Sequence, residues 1–176
     1  YSYTVPSGDG TGTVTLSNGT DLAGNILTTP TTNNTFTVDN TSPSATLGYS
    51  PTGPYKQGDT VLITATFSED MADPPLPKIA IDGGGGFANT SATDMTRNPS
   101  GSSNKKIYTY SYTVPAGDGT GTITLSTGTD LAGNALVTPT TNKTFTVDNT
   151  SPTATLGYSS TGPYKQGDTV LITATF

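Results

Sequence analysis

Cysteine, histidine and tryptophan are all missing from this 176-residue chain. Their absence excludes disulfides, thiol catalysis, zinc-thiolate and histidine-metal centres, and both the Ser-His-Asp and Cys-His arrangements of nucleophilic catalysis. Without Trp, the chain also lacks the ring best suited to stack on a sugar, so a carbohydrate-binding module ranks low. Charge is scarce: 11% of residues are charged, and 7 basic against 13 acidic groups give a net charge of −6 and a pI near 4.2. Nucleic acid and anionic membranes are poor partners for such a surface, because both require a basic footprint. No apolar run approaches the ~20 residues of a membrane span, and no signal peptide opens the sequence.

What is present is turn and strand chemistry. Gly (21) and Pro (13) make up roughly a fifth of the chain, below the ~25–30% typical of disordered sequences. Threonine is abundant and alternates with apolar residues, as a half-buried strand requires. The sequence also repeats itself. Residues 1–67 align without a gap on residues 110–176 at a period of 109, with eight differences, at positions 7, 14, 18, 26, 28, 34, 44 and 51 of the first copy. A unit of this length fits the ~100 residues of an immunoglobulin-like sandwich. The expected fold is therefore all-β, as tandem immunoglobulin-like β-sandwich domains, one complete and two partial. Residues 1–40 are the C-terminal part of one repeat, 41–149 a complete repeat, and 150–176 the N-terminal part of the next.

The alternation predicts strands over residues 1–5, 13–17, 35–38, 45–49, 61–67, 78–82, 107–114, 122–126 and 144–147, with at most one weak strand between Asn89 and Asn104. Half a sandwich leaves an apolar face and open edges uncovered. Either the polypeptide continues in both directions, or neighbouring chains complete the halves by strand exchange and build an extracellular filament.

Candidate chemistry concentrates where the strand topology brings loops together. In a seven-strand sandwich the incoming linker, the loop after the second strand and the loop before the last strand lie at one pole. For the complete repeat these carry Asp39 and Asn40, Glu69 and Asp70, and Asp130 and Asn134. The repeat places equivalent groups at Asp21 and Asn25, and at Asp148 and Asn149. Carboxylate and amide oxygens from three separate segments are the ligand set that Ca²⁺ takes, six to eight hard oxygens in a flexible shell. The same residues also suit an ordinary turn and a strand stop. Elsewhere the acids fall mostly in Gly-Asp, Asp-Asn and Asp-Gly turns, where Asx-turn bonding is the ordinary role. Gly8-Asp9-Gly10-Thr11-Gly12 lacks the spacing and the following helix of a phosphate cradle. The Asn-x-Ser/Thr triplets at Asn33, Asn40, Asn89, Asn142 and Asn149 are formal glycan acceptors, and Tyr108, Tyr110 and Tyr112 share the face expected to be core.

Phe67-Ser68-Glu69, Asp130-Leu131-Ala132-Gly133-Asn134 and Val147-Asp148-Asn149-Thr150-Ser151-Pro152 resemble the repeating motifs of bacterial Ig-like domains in very large secreted adhesins and surface proteins. The resemblance implies a non-enzymatic, extracellular stalk at the cell surface, with joints stiffened by Ca²⁺ as in cadherin-like arrays. Its partners would be neighbouring repeats, with any cell-surface or glycan ligand elsewhere in the full protein. The chain departs from cadherins in lacking their longer acidic joint motif.

Overall fold

The computed structural model describes residues 1–30, 32–98, 103–139 and 141–176, and among these every regular element is a β-strand. The largest body is built from eight strands: β3 (Ala45–Ser50), β4 (Thr60–Phe67), β5 (Lys78–Asp82), β6 (Thr90–Asp94), β7 (Thr96–Arg97), β8 (Ile107–Thr113), β9 (Gly119–Ser126) and β10 (Thr144–Val147). They form two four-stranded antiparallel sheets, ordered β3-β4-β8-β7 and β10-β9-β5-β6. The inward faces of both sheets meet in one apolar cluster.

Alternation explains the packing. In β4, Val61, Ile63, Ala65 and Phe67 are buried, while Thr60, Leu62 and Thr66 face out. In β9, Gly121, Ile123 and Leu125 point inward, and Gly121 pairs with Phe145 of β10. A Cβ at Gly121 would collide with the Phe145 ring, so glycine is what lets that ring lie flat on its neighbour and meet Tyr112, Tyr55 and Phe87 at centroid distances of 5.7 to 6.0 Å. Tyr108 and Tyr112 are core, and Tyr110 packs against it, as their shared face predicts.

Two corrections to the expected strands concern pairing partners. The polar stretch after Asn89 holds two strands rather than one: β6 pairs with β5, and β7 pairs with β8 in the other sheet. The chain changes sheets at Met95, which is buried; residues 99–102 of that stretch lie outside the described set. Residues 1–5, expected as a strand, form none, and among the described residues the strands of the flanking copies are the antiparallel pairs β1 (Gly10–Thr13) with β2 (Thr35–Val38), and β11 (Thr155–Tyr158) with β12 (Ile172–Thr175). The counterpart of residues 1–5 is the end of β8, held by β4. Among the described residues no strand takes that place beside the first copy.

Candidate metal centre

The chain enters the central repeat through Asp39–Ser44, and this segment is fastened before β3 begins. The Ser44 N–H and the Ser68 hydroxyl are 3.1 Å apart, Ser68 N–H donates to the Ser44 carbonyl at 2.9 Å, and Val137 N–H donates to the Pro43 carbonyl at 2.9 Å. The linker is thereby tied both to the β4–β5 loop and to the segment before β10.

The Asp130-Leu131-Ala132-Gly133-Asn134 loop folds around its own carboxylate. Gly133 takes a φ of 97°, a conformation open to glycine and strained for other residues, and this lets the chain turn back. The Gly133 and Asn134 N–H groups then donate to Asp130 Oδ1 at 2.7 and 2.8 Å, and Asn134 Nδ2 donates to Asp130 Oδ2 at 2.8 Å. Backbone bonds from Ala72 N–H to the Thr129 carbonyl, and the pairing of Met71 with Asp130, dock the loop on the chain that follows Glu69. Asn134 Nδ2 also donates to the Asp39 carbonyl at 3.0 Å, which joins the loop to the linker.

Asp39, Glu69 and Asp130 therefore converge: one ligand oxygen from each lies within 4.8 Å of the others, and Asp130 is 1% exposed. Among the described residues none of the three is in an ion pair. Lys106 is the nearby cation, its Nζ 3.2 Å from the Ser68 carbonyl. The charges perturb one another as expected. Burial, then repulsion from Asp39 and Asp130, pushes the Glu69 carboxyl above its ordinary value, and its protonated form donates to Asp39. Burial also acts to raise Asp130, but the bonds from Asn134 and Gly133 outweigh it and hold that carboxyl below the ordinary range. The trio thus sets three carboxyl groups against the Lys106 cation nearby. Such a pocket can take a proton on Glu69 or a hard divalent cation on all three.

The other candidates go elsewhere. Asn134 spends its amide nitrogen on organising Asp130 and Asp39. Asp70 lies outside the trio; with Asp73, it adds to the burial that raises the Tyr108 hydroxyl. Asn40 turns away from Asp39: its N–H and Nδ2 donate to Asp9 and to the Gly8 carbonyl, while the Thr41 hydroxyl bonds Asp9 Oδ2. Asn149 and Thr150 repeat this with Asp118 and Gly117. Asp21 and Asn25 reproduce the Asp130 loop, with bonds of 2.8 to 2.9 Å to Asp21, but among the described residues Asp21 belongs to no cluster of three acids. Asp148 receives the Thr150 N–H at 2.9 Å and likewise belongs to no cluster of three acids among the described residues. The role of Asp9 and Asp118 as linker clasps was not anticipated; the signal available was the Gly-Asp-Gly turn in both copies. Three sequon asparagines, Asn40, Asn142 and Asn149, donate their amide nitrogens to backbone carbonyls.

No family model matches the chain, and neither a curated protein nor a solved structure similar to it was found. No helix of the described residues is long and apolar enough to cross a membrane.

Proposed function

We propose that the chain is a non-enzymatic extension module, a stalk of immunoglobulin-like repeats at a cell surface, with Ca²⁺ bound at the joint by Asp39, Glu69 and Asp130. The observation that carries this reading is the origin of the three acids. Asp39 belongs to the linker, whereas Glu69 and Asp130 belong to the repeat it enters. A cation shared among them fixes the linker to that repeat, and removing it leaves repelling carboxylates that loosen the joint. Oxygen-only ligands, with one buried carboxylate pre-oriented by Asn134, suit Ca²⁺ better than softer metals.

A thermal melt in excess Ca²⁺, in EGTA and in Mg²⁺ tests the proposal. A rise in midpoint of several degrees, unmatched by Mg²⁺ and abolished by Asp130→Asn, is the expected result. Superimposable melts would remove calcium from the proposal.

A further inference from the structure

On one flank of the central repeat the edge strands of the two sheets, β3 and β10, lie beside a groove of about 510 Å³. Tyr49 of β3, Tyr55 of the segment that follows it and Phe145 of β10 line this groove, together with Pro54, Thr144 and Asp148. The rings do not share a plane: Tyr49 and Tyr55 are inclined to Phe145 by 55° and 65°, at centroid distances of 6.1 and 6.0 Å. Each ring is held in place. Tyr55 and Phe145 are only 3% and 8% exposed, and Tyr49 is half-buried. The Tyr55 hydroxyl donates to the Pro51 carbonyl at 2.8 Å, and the Tyr49 hydroxyl donates to the Asn142 carbonyl. Asn142 Nδ2 returns a bond to the Leu47 carbonyl at 3.3 Å, which ties β3 to the segment before β10. Among the described residues that line the groove, Asp148 is the one that carries charge.

We propose that this groove is a binding site for a small molecule bearing a methylated ammonium group, of the kind that choline carries. The face of an aromatic ring attracts a cation through its quadrupole, and rings set at an angle turn several faces towards one guest. A sugar would instead require a flat, open ring to stack on, which rings inclined by 55° and 65° do not present. The Asp148 carboxylate supplies the opposite charge, and among the described lining residues no basic side chain repels the guest. Methylation decides the class of cation. A primary ammonium is strongly hydrated and carries three N–H donors, for which the groove offers one carboxylate and a few threonine hydroxyls. A trimethylammonium group has no donor to satisfy and meets the rings and Pro54 with its methyls. Packing and hydrogen bonds fix the rings before a ligand arrives, so little ordering is required on binding. Both halves of a repeat contribute. Tyr158 and Tyr164, the counterparts of Tyr49 and Tyr55, are 58% and 45% exposed in one flanking copy, and Phe36, the counterpart of Phe145, lies in the other. Among the described residues the three rings therefore come together once, in the central repeat.

This inference stands apart from the calcium reading, and its test is run in EGTA. The whole chain is titrated with choline chloride at constant ionic strength, and binding is followed by calorimetry and by backbone amide shifts in NMR. Two further probes dissect the ligand. The neutral carbon isostere of choline, with a tert-butyl group in place of trimethylammonium, reports on the charge, and ethanolamine reports on the methyls. Choline should bind saturably at one site per chain, with the shifted amides concentrated in residues 49–55 and 144–148. The isostere should bind roughly 2–5-fold more weakly, the factor for an exposed cation–π contact, and ethanolamine should also bind more weakly than choline. Thr144→Lys, at an exposed position, sets a cation in the groove and leaves the core untouched; it should weaken choline at least about fivefold through like-charge repulsion. Tyr49→Leu and Asp148→Asn should each weaken choline roughly 2–5-fold. No saturable choline binding, equal affinity for choline and its neutral isostere, or wild-type choline affinity in Thr144→Lys would each overturn the inference. So would choline-induced shifts centred outside residues 49–55 and 144–148.

Discussion

Nearly the same sequence occurs twice in this chain and adopts two degrees of order. Leu47, Ile63, Phe67, Tyr112 and Leu125 in the central repeat are at most 4% exposed, whereas their counterparts Leu156, Ile172, Phe176, Tyr3 and Leu16 are 48 to 89% exposed. β9 has eight residues, but its copy β1 has four, because the second half of β9 is held by β5 and the first copy has no such neighbour. β12 is shortened relative to β4 in the same way. The turns behave differently. The Asp21 loop matches the Asp130 loop bond for bond in its core, and the Asp9 clasp matches the Asp118 clasp. Turns are therefore specified by a few adjacent residues, and strands by partners far away in sequence.

Paired substitutions sharpen this contrast. The largest expected effect is Ile63→Ala, which opens a cavity in a fully buried site and should cost about 2–5 kcal/mol in denaturant unfolding, while Ile172→Ala should leave the main transition unmoved. Next is the loop pair. Asp130→Asn should abolish the calcium-dependent gain, worth roughly 2.7 kcal/mol at a hundredfold excess over Kd, and Asp21→Asn should not affect it. Equal losses from both would break the distinction between assembled and unassembled acids. A third contrast is read by hydrogen exchange: amides of Ile123–Ser126 should exchange with the slow core, and those of Val14–Ser17, identical but for one methylene, at nearly unfolded rates.

The smallest effect is in pH. A carboxyl raised in the folded state contributes stability below its ordinary value and loses it as pH climbs through the raised one. In EGTA, Glu69 should therefore lower the melting midpoint as pH rises above about 4.5, and Glu69→Gln should flatten that decline. The depressed groups, Asp130, Asp9, Asp21 and Asp59, act in the opposite sense and lose their contribution as pH falls below 3.8. Calcium should remove the Glu69 decline, because the ion takes the place of the proton.

Much of this was legible in the sequence. Alternation located β3, β4, β5, β8 and β10, and the pole argument brought Asp39, Glu69 and Asp130 together because strand alternation alone dictates which loops share an end. What alternation could not supply was sheet membership. Thr90–Asp94 and Thr96–Arg97 carry almost no apolar signal, and their placement depends on the single buried Met95 between them. Nor could spacing say which way an amide faces: Asn40 follows Asp39 directly, yet binds the opposite neighbour. The Asp9 and Asp118 clasps were hidden for a similar reason, since a Gly-Asp-Gly turn looks the same whether its carboxylate meets solvent or a linker 31 residues on.

That adjacency of Asp39 and Asn40 has a consequence for scale. With one residue committed to the repeat ahead and the next to the repeat behind, the linker contains no slack to stretch or coil. In the stalk proposed above, each repeat would add a set increment of reach, and the array would work as a ruler graduated in units of 109 residues, its length reset by whole divisions on gain or loss of a near-identical copy.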